Sequence, residues 1–480
     1  MPTIWVREFA GGLDARRLPE MSAGGTLIRG VNGHINRGKE FEQRSDFVHR
    51  YNLPANAVKG LAAVPQGLTV FGHTTRPFGL HGSLRYQRLQ HPQGRALQEV
   101  LYTSLYRGRL VVSARFADDS VHLFYDGNRI TDSNAPPNAV ATDQPGPHTT
   151  FREKLFAAGG ATLYNSAVLA PMDFGDGSGA GDGVTDMSTH EGGVQKITGL
   201  ARYDQYLAIF SRDVIQIWFF DPDPALSREN QVLGNTGTMS PRSVTQFGDG
   251  DVFYLARSGV RSLRARDSSN SAATTDVGSG LDPIIRDDLD RLTEEEIARA
   301  QGIIEPRDGR FWLLLGGTIY VFSYFTGSDV RAWTVYDLGF PVDELLVWNG
   351  AVWIRSGNSI YSFGAPGGKP VYSADTVAEC WLPYLDADEP TRAKTLTGFD
   401  AAVRGTWEVR AALDPMNEGA SDLLGRVEET TFRHPRLASV GQFNHISLRF
   451  RTTAPPSPDK PAVLSSCVIH FDRDDEEDSS

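Results

Sequence analysis

The sequence predicts an all-β protein: a β-propeller, an additional β-sandwich-like domain and a small helical insertion. The main observation is a repeat in which a short apolar run meets a turn of Gly, Asp or Asn and a second run follows. The first runs begin 41 to 59 residues apart, near Leu68, Leu110, Leu155, Leu207, Val252, Phe311 and Val352. This period is typical of four-stranded propeller blades, which bury their faces only by packing on one another.

The paired runs favour strands over helices. They are short, rich in aromatic and β-branched residues, and closed by turn residues. The clearest pair lies on either side of Gly316 and Gly317, which tolerate the positive φ of a tight hairpin. Aromatic pairs such as Phe311 and Trp312 are interpreted as blade core. We therefore predict a propeller over residues 55–365.

One segment inside the propeller carries helical signals. Asp282 resembles an N-cap, and Pro283 suits the first helical position. Thr293 followed three residues later by Glu296 predicts a capping box and a second short helix. The insertion accounts for the longest spacing between blades.

The two ends of the chain differ from the repeat. Residues 1–54 are polar and rich in glycine, and they predict an extended arm that needs a partner surface to become ordered. Residues 370–471 carry longer alternating strands and predict the sandwich-like domain, joined through a glycine-rich linker at 364–368. Residues 472–480 predict a solvated acidic tail, with a net charge of -5.

Composition limits the class of protein. Hydrophobic residues make up 40% of the chain and mean hydropathy is -0.30, which predicts a soluble protein without a membrane span or signal peptide. Cys380 and Cys467 are expected to be buried thiols made in a reducing cytoplasm. The net charge of -12 argues against a surface that grips nucleic acid.

One loop could bind a metal. Asp173, Asp176 and Asp182 lie among glycines, and they offer Ca²⁺ hard oxygen ligands on a flexible backbone. Their spacing matches no EF-hand, and a mobile surface loop without metal is the favoured interpretation. We predict no cofactor.

No catalytic residue is predicted. The chain has no nucleophile elbow, no zinc-protease motif and no phosphate-binding Walker loop. His190 and Glu191 form an isolated pair. A propeller glycosidase would need two axial carboxylates, and the abundance of Asp and Glu leaves that alternative open.

Several stretches together resemble the tail nozzle, or tail hub, proteins of short-tailed bacteriophages. None is a strict signature, but they occur in order across most of the chain. The matching stretches are 30–47, 199–218, 237–244, 251–260, 309–315, 321–325, 332–336 and 461–471.

The resemblance implies a structural virion protein made in the host cytoplasm. It implies a homohexameric tail tube below the portal-adaptor complex, which contacts the adaptor or connector protein and carries tail fibres or spikes. Double-stranded DNA would pass through during ejection without specific binding, which the acidic balance fits. The alternatives are a propeller that binds a host-surface glycan or protein, and a propeller glycoside hydrolase or lyase.

Overall fold

The computed structural model describes residues 2–53, 58–72, 84–130, 145–174, 181–189, 195–248, 250–265, 272–417, 419–433 and 441–473. Seven short strands come first. They are β1 (Thr3–Val6), β2 (Gly12–Leu13), β3 (Thr26–Leu27), β4 (Arg29–Val31), β5 (Gly33–Ile35), β6 (Phe41–Gln43) and β7 (Phe47–Asn52).

Blades 1 to 4 of a propeller follow. Blade 1 has three strands, and its third strand runs parallel to the second. Blades 2 to 4 are four-stranded antiparallel sheets. The strands are β8 (Val58–Val64), β9 (Gly67–Gly72) and β10 (Leu84–Gln87); β11 (Leu97–Tyr106), β12 (Arg109–Phe116), β13 (Val121–Tyr125) and β14 (Asn128–Arg129); β15 (Pro145–Phe151), β16 (Lys154–Gly159), β17 (Thr162–Asn165) and β18 (Gly183–Asp186); β19 (Gly199–Tyr203), β20 (Tyr206–Phe210), β21 (Val214–Phe219) and β22 (Arg228–Gly234).

Blades 5 to 7 complete the ring, with two helices between blades 5 and 6. The elements are β23 (Thr245–Phe247), β24 (Asp251–Ala256), β25 (Gly259–Ala265) and β26 (Ala272–Thr275); α1 (Asp282–Arg291) and α2 (Glu294–Ala298); β27 (Gln301–Ile304), β28 (Phe311–Leu315), β29 (Thr318–Phe325) and β30 (Val330–Tyr336); β31 (Glu344–Trp348), β32 (Ala351–Ser356) and β33 (Ser359–Phe363). Each of the seven predicted starts falls in the second strand of a blade, which confirms the propeller.

The ring closes through a strand from the other end of the chain. β7 pairs antiparallel with β33, from Phe47 opposite Phe363 to Asn52 opposite Ser359, and so becomes the outer strand of blade 7. Phe47 packs its ring against Trp312 and Phe363, with centroids 6.2 and 5.1 Å away. The closing strand is thus held by backbone hydrogen bonds and by the core between blades 6 and 7.

The last seven strands form most of a β-sandwich. They are β34 (Glu379–Trp381), β35 (Lys394–Arg404), β36 (Thr406–Ala412), β37 (Asp422–Val427), β38 (Gly441–Phe443), β39 (Ser447–Ala454) and β40 (Val463–Arg473). One sheet has the order β38-β35-β40-β6-β5, with β1 also paired to β40. The other contains β4-β34-β39-β36-β37. Trp407, Phe450 and Ile469 are fully buried in the core that both sheets share.

The sandwich and the propeller share one continuous sheet. β4 pairs in parallel with β30, the outer strand of blade 6, at Val31 and Val335. The other edge of β4 pairs antiparallel with β34, where Val31 lies opposite Glu379. A nine-stranded sheet therefore runs from blade 6 into the sandwich.

These pairings correct the prediction for residues 1–54. We expected an extended arm that would await a partner surface, but β1, β4, β5 and β6 join the sandwich and β7 joins blade 7. Apart from the local hairpin of β5 and β6, these short strands pair with partners more than 300 residues away in sequence, which local patterns do not reveal. Of the predicted tail 472–480, Asp472 and Arg473 belong to β40, and residues 474–480 lie outside the described residues.

The helical insertion is confirmed, with one change at its start. Helix α1 begins at Asp282, and Leu281 is the N-cap. The buried Asp282 carboxylate accepts hydrogen bonds from Arg261 at 2.9 and 3.1 Å, so it does not cap the helix. The predicted capping box of α2 is present, between Thr293 and Glu296.

The aromatic residues and thiols that the sequence predicts to be core are buried in the fold. Trp312, Phe311 and Trp218 are buried within the blades. Cys380 and Cys467 are buried free thiols in the sandwich core. No helix in the described part of the chain has the length and apolar character needed to cross a membrane.

Candidate functional site

Strand ends from several blades meet at one end of the propeller axis. Glu99 lies on β11, the innermost strand of blade 2, and Glu344 begins β31, the innermost strand of blade 7. Arg242 lies in the connection that enters blade 5. Because innermost strands line the axis of a propeller, their charged side chains converge there. We call this cluster the axial site.

The helical insertion covers the axial site. Leu281 and Ile285 of the α1 region are fully buried against blades 5 and 6, which fixes the base of the insertion. Ser240 donates a hydrogen bond to the Ile297 carbonyl at 2.5 Å, and Arg299 after α2 reaches Glu99 at 3.0 Å. The end of helix α2 is therefore bound both to the connection that enters blade 5 and, through the side chain of Arg299, to blade 2.

Two guanidinium groups lie near each axial carboxylate. Arg355 donates to Glu344 at 2.5 Å and Arg242 approaches the same carboxylate at 3.4 Å. Glu99 accepts from Arg299 and lies 3.9 Å from Arg115. Burial acts to lower the pKa of Arg355, but the carboxylates of Glu344 and Asp343 outweigh burial and raise that pKa.

The axial site holds two carboxylates, and both have arginine partners. A glycosidase needs one carboxylate that donates a proton and a second that attacks or activates water. One oxygen of Glu99 accepts from Arg299, and both oxygens of Glu344 accept from arginines. In the described parts of the chain, no group of three or more His, Cys, Asp or Glu side chains could hold a metal ion.

The described ends of the predicted metal loop, Asp173 and Asp182, lie between β17 and β18 of blade 3. The backbone of Asp173 exchanges hydrogen bonds with Ala167 and Ala170. Asp182 is buried, and its charge acts on the ammonium of Lys154, whose pKa is lowered chiefly by burial. A cation of the protein therefore already neighbours Asp182. Asp176, like the pair His190 and Glu191, lies outside the described residues, so calcium binding stays an untested prediction.

A second polar cluster lies where blade 6 meets the sandwich. His34 Nδ1 is 2.7 Å from the Tyr336 hydroxyl, and its Nε2 is 3.5 Å from Glu42. Burial lowers the pKa of His34, which favours the neutral ring. A neutral ring protonated at Nε2 accepts from the Tyr336 hydroxyl at Nδ1, while its Nε2 faces Glu42 at 3.5 Å without a hydrogen bond. The cluster therefore fixes the two domains to one another.

Sequence reasoning did not single out the residues of the axial site. Glu99, Arg242, Arg299, Glu344 and Arg355 come from separate parts of the chain and match no motif. Near these residues the sequence contains one local signal, the capping box that predicts helix α2. Their convergence depends on the circular order of the blades, which brings Glu99 and Arg299 together across 200 positions.

Comparisons with known proteins identify no family for this chain. No protein-family model matches the chain, and no curated protein matches it. Among solved structures, the Neurospora crassa Pan2 WD40 domain has a TM-score of 0.36 and 11% identity, and the match covers 65% of this chain and 90% of that one.

Two further solved structures show the same low similarity. The extracellular domain of the two component system BT4673 from B. thetaiotaomicron gives a TM-score of 0.38 and 9% identity, over 74% of this chain and 43% of that one. An exo-beta-1,3-galactanase from Phanerochaete chrysosporium gives 0.30 and 10%, over 80% of this chain and 98% of that one. The strand pairing itself therefore defines the class: a seven-bladed β-propeller joined to a β-sandwich.

Proposed function

We propose that this chain is a structural protein of a bacteriophage tail, a nozzle or hub subunit that acts in the virion and is not an enzyme. The resemblance of the sequence stretches to that family motivates the proposal. The observation that supports it is a set of exposed large apolar side chains on two segments that Tyr384 of the sandwich joins; we call this set the apolar surface. Its members are Leu18, Met21 and Met416, whose exposed fractions are 65%, 64% and 92%.

Tyr384 joins the two segments that present this apolar surface. Its backbone N–H donates to the Pro19 carbonyl at 3.1 Å, and its hydroxyl donates to the Asp414 carbonyl at 3.1 Å. Pro19 lies between Leu18 and Met21, and Asp414 lies two residues before Met416. Large exposed apolar side chains on joined segments are a feature that protein–protein interfaces use.

The connection between the two domains also suits a subunit of a tail, because strand pairing holds the domains together. Blade 6 and the sandwich share a sheet, and β7 links the sandwich to blade 7. A ring of such subunits uses a heterologous interface, in which the apolar surface of one copy contacts a different surface on the next. The copies would form a hexameric tube on the adaptor, and the net charge of -12 would keep passing DNA from adhering to its wall.

Imaging the purified chain by negative-stain electron microscopy, with and without the adaptor ring of the same virus, tests this proposal. We expect rings or tubes with a central channel. Particles that stay compact monomers under both conditions would contradict it, and so would purified virions that lack the chain.

A matched pair of variants makes the test sharper. Leu18→Asp combined with Met21→Asp places charge on the apolar surface and should abolish the rings. Leu226→Asp is the control, because Leu226 is also exposed, at 58%, but lies on blade 4 of the propeller. Both variants should unfold at the temperature of the unchanged chain. Rings that persist in the double variant would show that another surface makes the contact.

A further inference from the structure

A cavity beneath helix α2 combines an excess of positive charge with an apolar wall. Its volume is about 210 Å³, and it lies between β11, the start of β15 and the connections that enter blades 4 and 5. Four cationic side chains line it, against the two carboxylates of Glu99 and Glu295. The four cations are Arg115, Lys196, Arg242 and Arg299.

The carboxylates near the cavity do not saturate these cations. Arg299 takes the closest position on Glu99, at 3.0 Å, and leaves Arg115 at 3.9 Å, beyond hydrogen-bond range. Arg242 shares Glu344 with Arg355, and Arg355 lies nearer to that carboxylate, at 2.5 Å against 3.4 Å. The N–H groups of Arg115 and Arg242 therefore retain capacity to bind an oxyanion.

The rest of the wall is apolar. Ile197 is almost fully buried, and Leu101, Met239 and Pro241 complete this part of the lining. Burial raises the pKa of Tyr102, so its hydroxyl stays protonated and neutral. Pockets for drug-sized ligands occupy about 300 to 1,000 Å³, so this smaller cavity suits a ligand built on a single ring.

We propose that this cavity binds a small organic anion: one carboxylate or phosphate group on a body about the size of a sugar ring. The oxyanion contacts Arg115, Arg242 and Lys196, and the ring lies on the wall formed by Ile197 and Met239. Arginine guanidinium groups bind both oxyanions through paired N–H donors. The inference does not depend on assembly into a tail, because every lining residue belongs to one chain.

Isothermal titration calorimetry of the full chain tests this inference, with four probes. Glucuronate carries a carboxylate, glucose 6-phosphate carries a phosphate, glucose is neutral, and inorganic phosphate lacks the ring. We expect one or both charged sugars to bind with one site per chain, while glucose gives no heat. No heat from either charged sugar up to millimolar concentration overturns the proposal, as does inorganic phosphate binding as tightly as the sugars.

Variants locate the site. Arg115→Gln and Lys196→Gln each remove one charge and should weaken binding about tenfold, because hydrogen bonds to charged groups are strong. Arg299 still holds Glu99 in the first variant. Arg95→Gln is the matched control, because Arg95 is 56% exposed beside Asp118, outside the cavity. Equal weakening in all three variants, with unchanged melting temperatures, would show unspecific attraction and overturn the proposal.

Discussion

Arg299, the residue that follows helix α2, donates a hydrogen bond from Nε to Glu99 on the innermost strand of blade 2, at 3.0 Å. The two residues are 200 positions apart, and their contact ties the insertion between blades 5 and 6 to the opposite part of the ring. The chain thus covers one end of its propeller axis with its own helix.

Arg299→Gln should loosen α2 without unfolding the protein. Arg299 is 56% exposed, so the loss of its ion pair should lower the free energy of unfolding by less than about 1 kcal/mol. Hydrogen exchange of Glu294–Ala298 should become faster. Arg291→Gln is the control, because Arg291 pairs with Asp288 inside α1. Equal protection of α2 in both variants would mean that Arg299 does not hold the helix.

Phe47→Ala should strongly destabilise the protein although Phe47 lies in the N-terminal segment. It removes the partly buried ring of β7 that packs on Trp312 and Phe363. Truncation of a fully buried Phe costs about 3 to 5 kcal/mol, so this change should cost about 2 kcal/mol. Chemical denaturation measures the change. Phe432→Ala is the same chemical change at a side chain that is 47% exposed, and should cost less than about 0.5 kcal/mol. Similar costs at both positions would argue against ring closure by β7.

The protein should lose stability as the pH falls from 6.5 to 4, partly through His148. Burial lowers the pKa of His148 from 6.5 to about 4. In this interval the unfolded chain binds a proton that the folded chain does not, so the free energy of unfolding falls with falling pH. The full shift corresponds to about 3 kcal/mol. Below pH 4 the contribution of His148 stays constant, because both states are then protonated.

His148→Gln tests that contribution. The variant cannot take up the proton, so its free energy of unfolding should fall less steeply between pH 6.5 and 4 than that of the unchanged chain. His49→Gln is the control, because His49 is exposed on β7. If His148→Gln and the unchanged chain give parallel curves, the buried histidine does not govern this pH range.

Cys380 and Cys467 should resist thiol reagents in the folded protein. Burial raises the pKa of the Cys380 thiol, and it raises that of Cys467 to about 12. Since the thiolate is the reactive form, a chromogenic disulfide reagent at pH 8 should label neither residue at the rate of a free thiol. Both should react in denaturant. Rapid labelling of the native chain would show that the sandwich opens.

The sequence predicted those turns and helices that depend on residues close together in the chain. Gly316 and Gly317 both adopt positive φ, 57° and 87°, at the turn where the pattern placed them. The capping box of Thr293 and Glu296 was readable because its two residues are three positions apart. The prediction of Asp282 as an N-cap was wrong. An aspartate before a proline resembles an N-cap in sequence, but in the fold the Asp282 carboxylate binds Arg261.

The sequence by itself determined the repeating strands, the blade period and the two buried thiols, because alternation and turn chemistry act between neighbours in the chain. The tertiary structure alone decided that β7 closes blade 7, that β4 joins blade 6 to the sandwich, and that Glu99 meets Arg299. The physical reason is that hydrogen bonds between strands and ion pairs at the axis do not depend on sequence separation. Their partners are fixed only when the ring of blades closes and brings distant segments into contact.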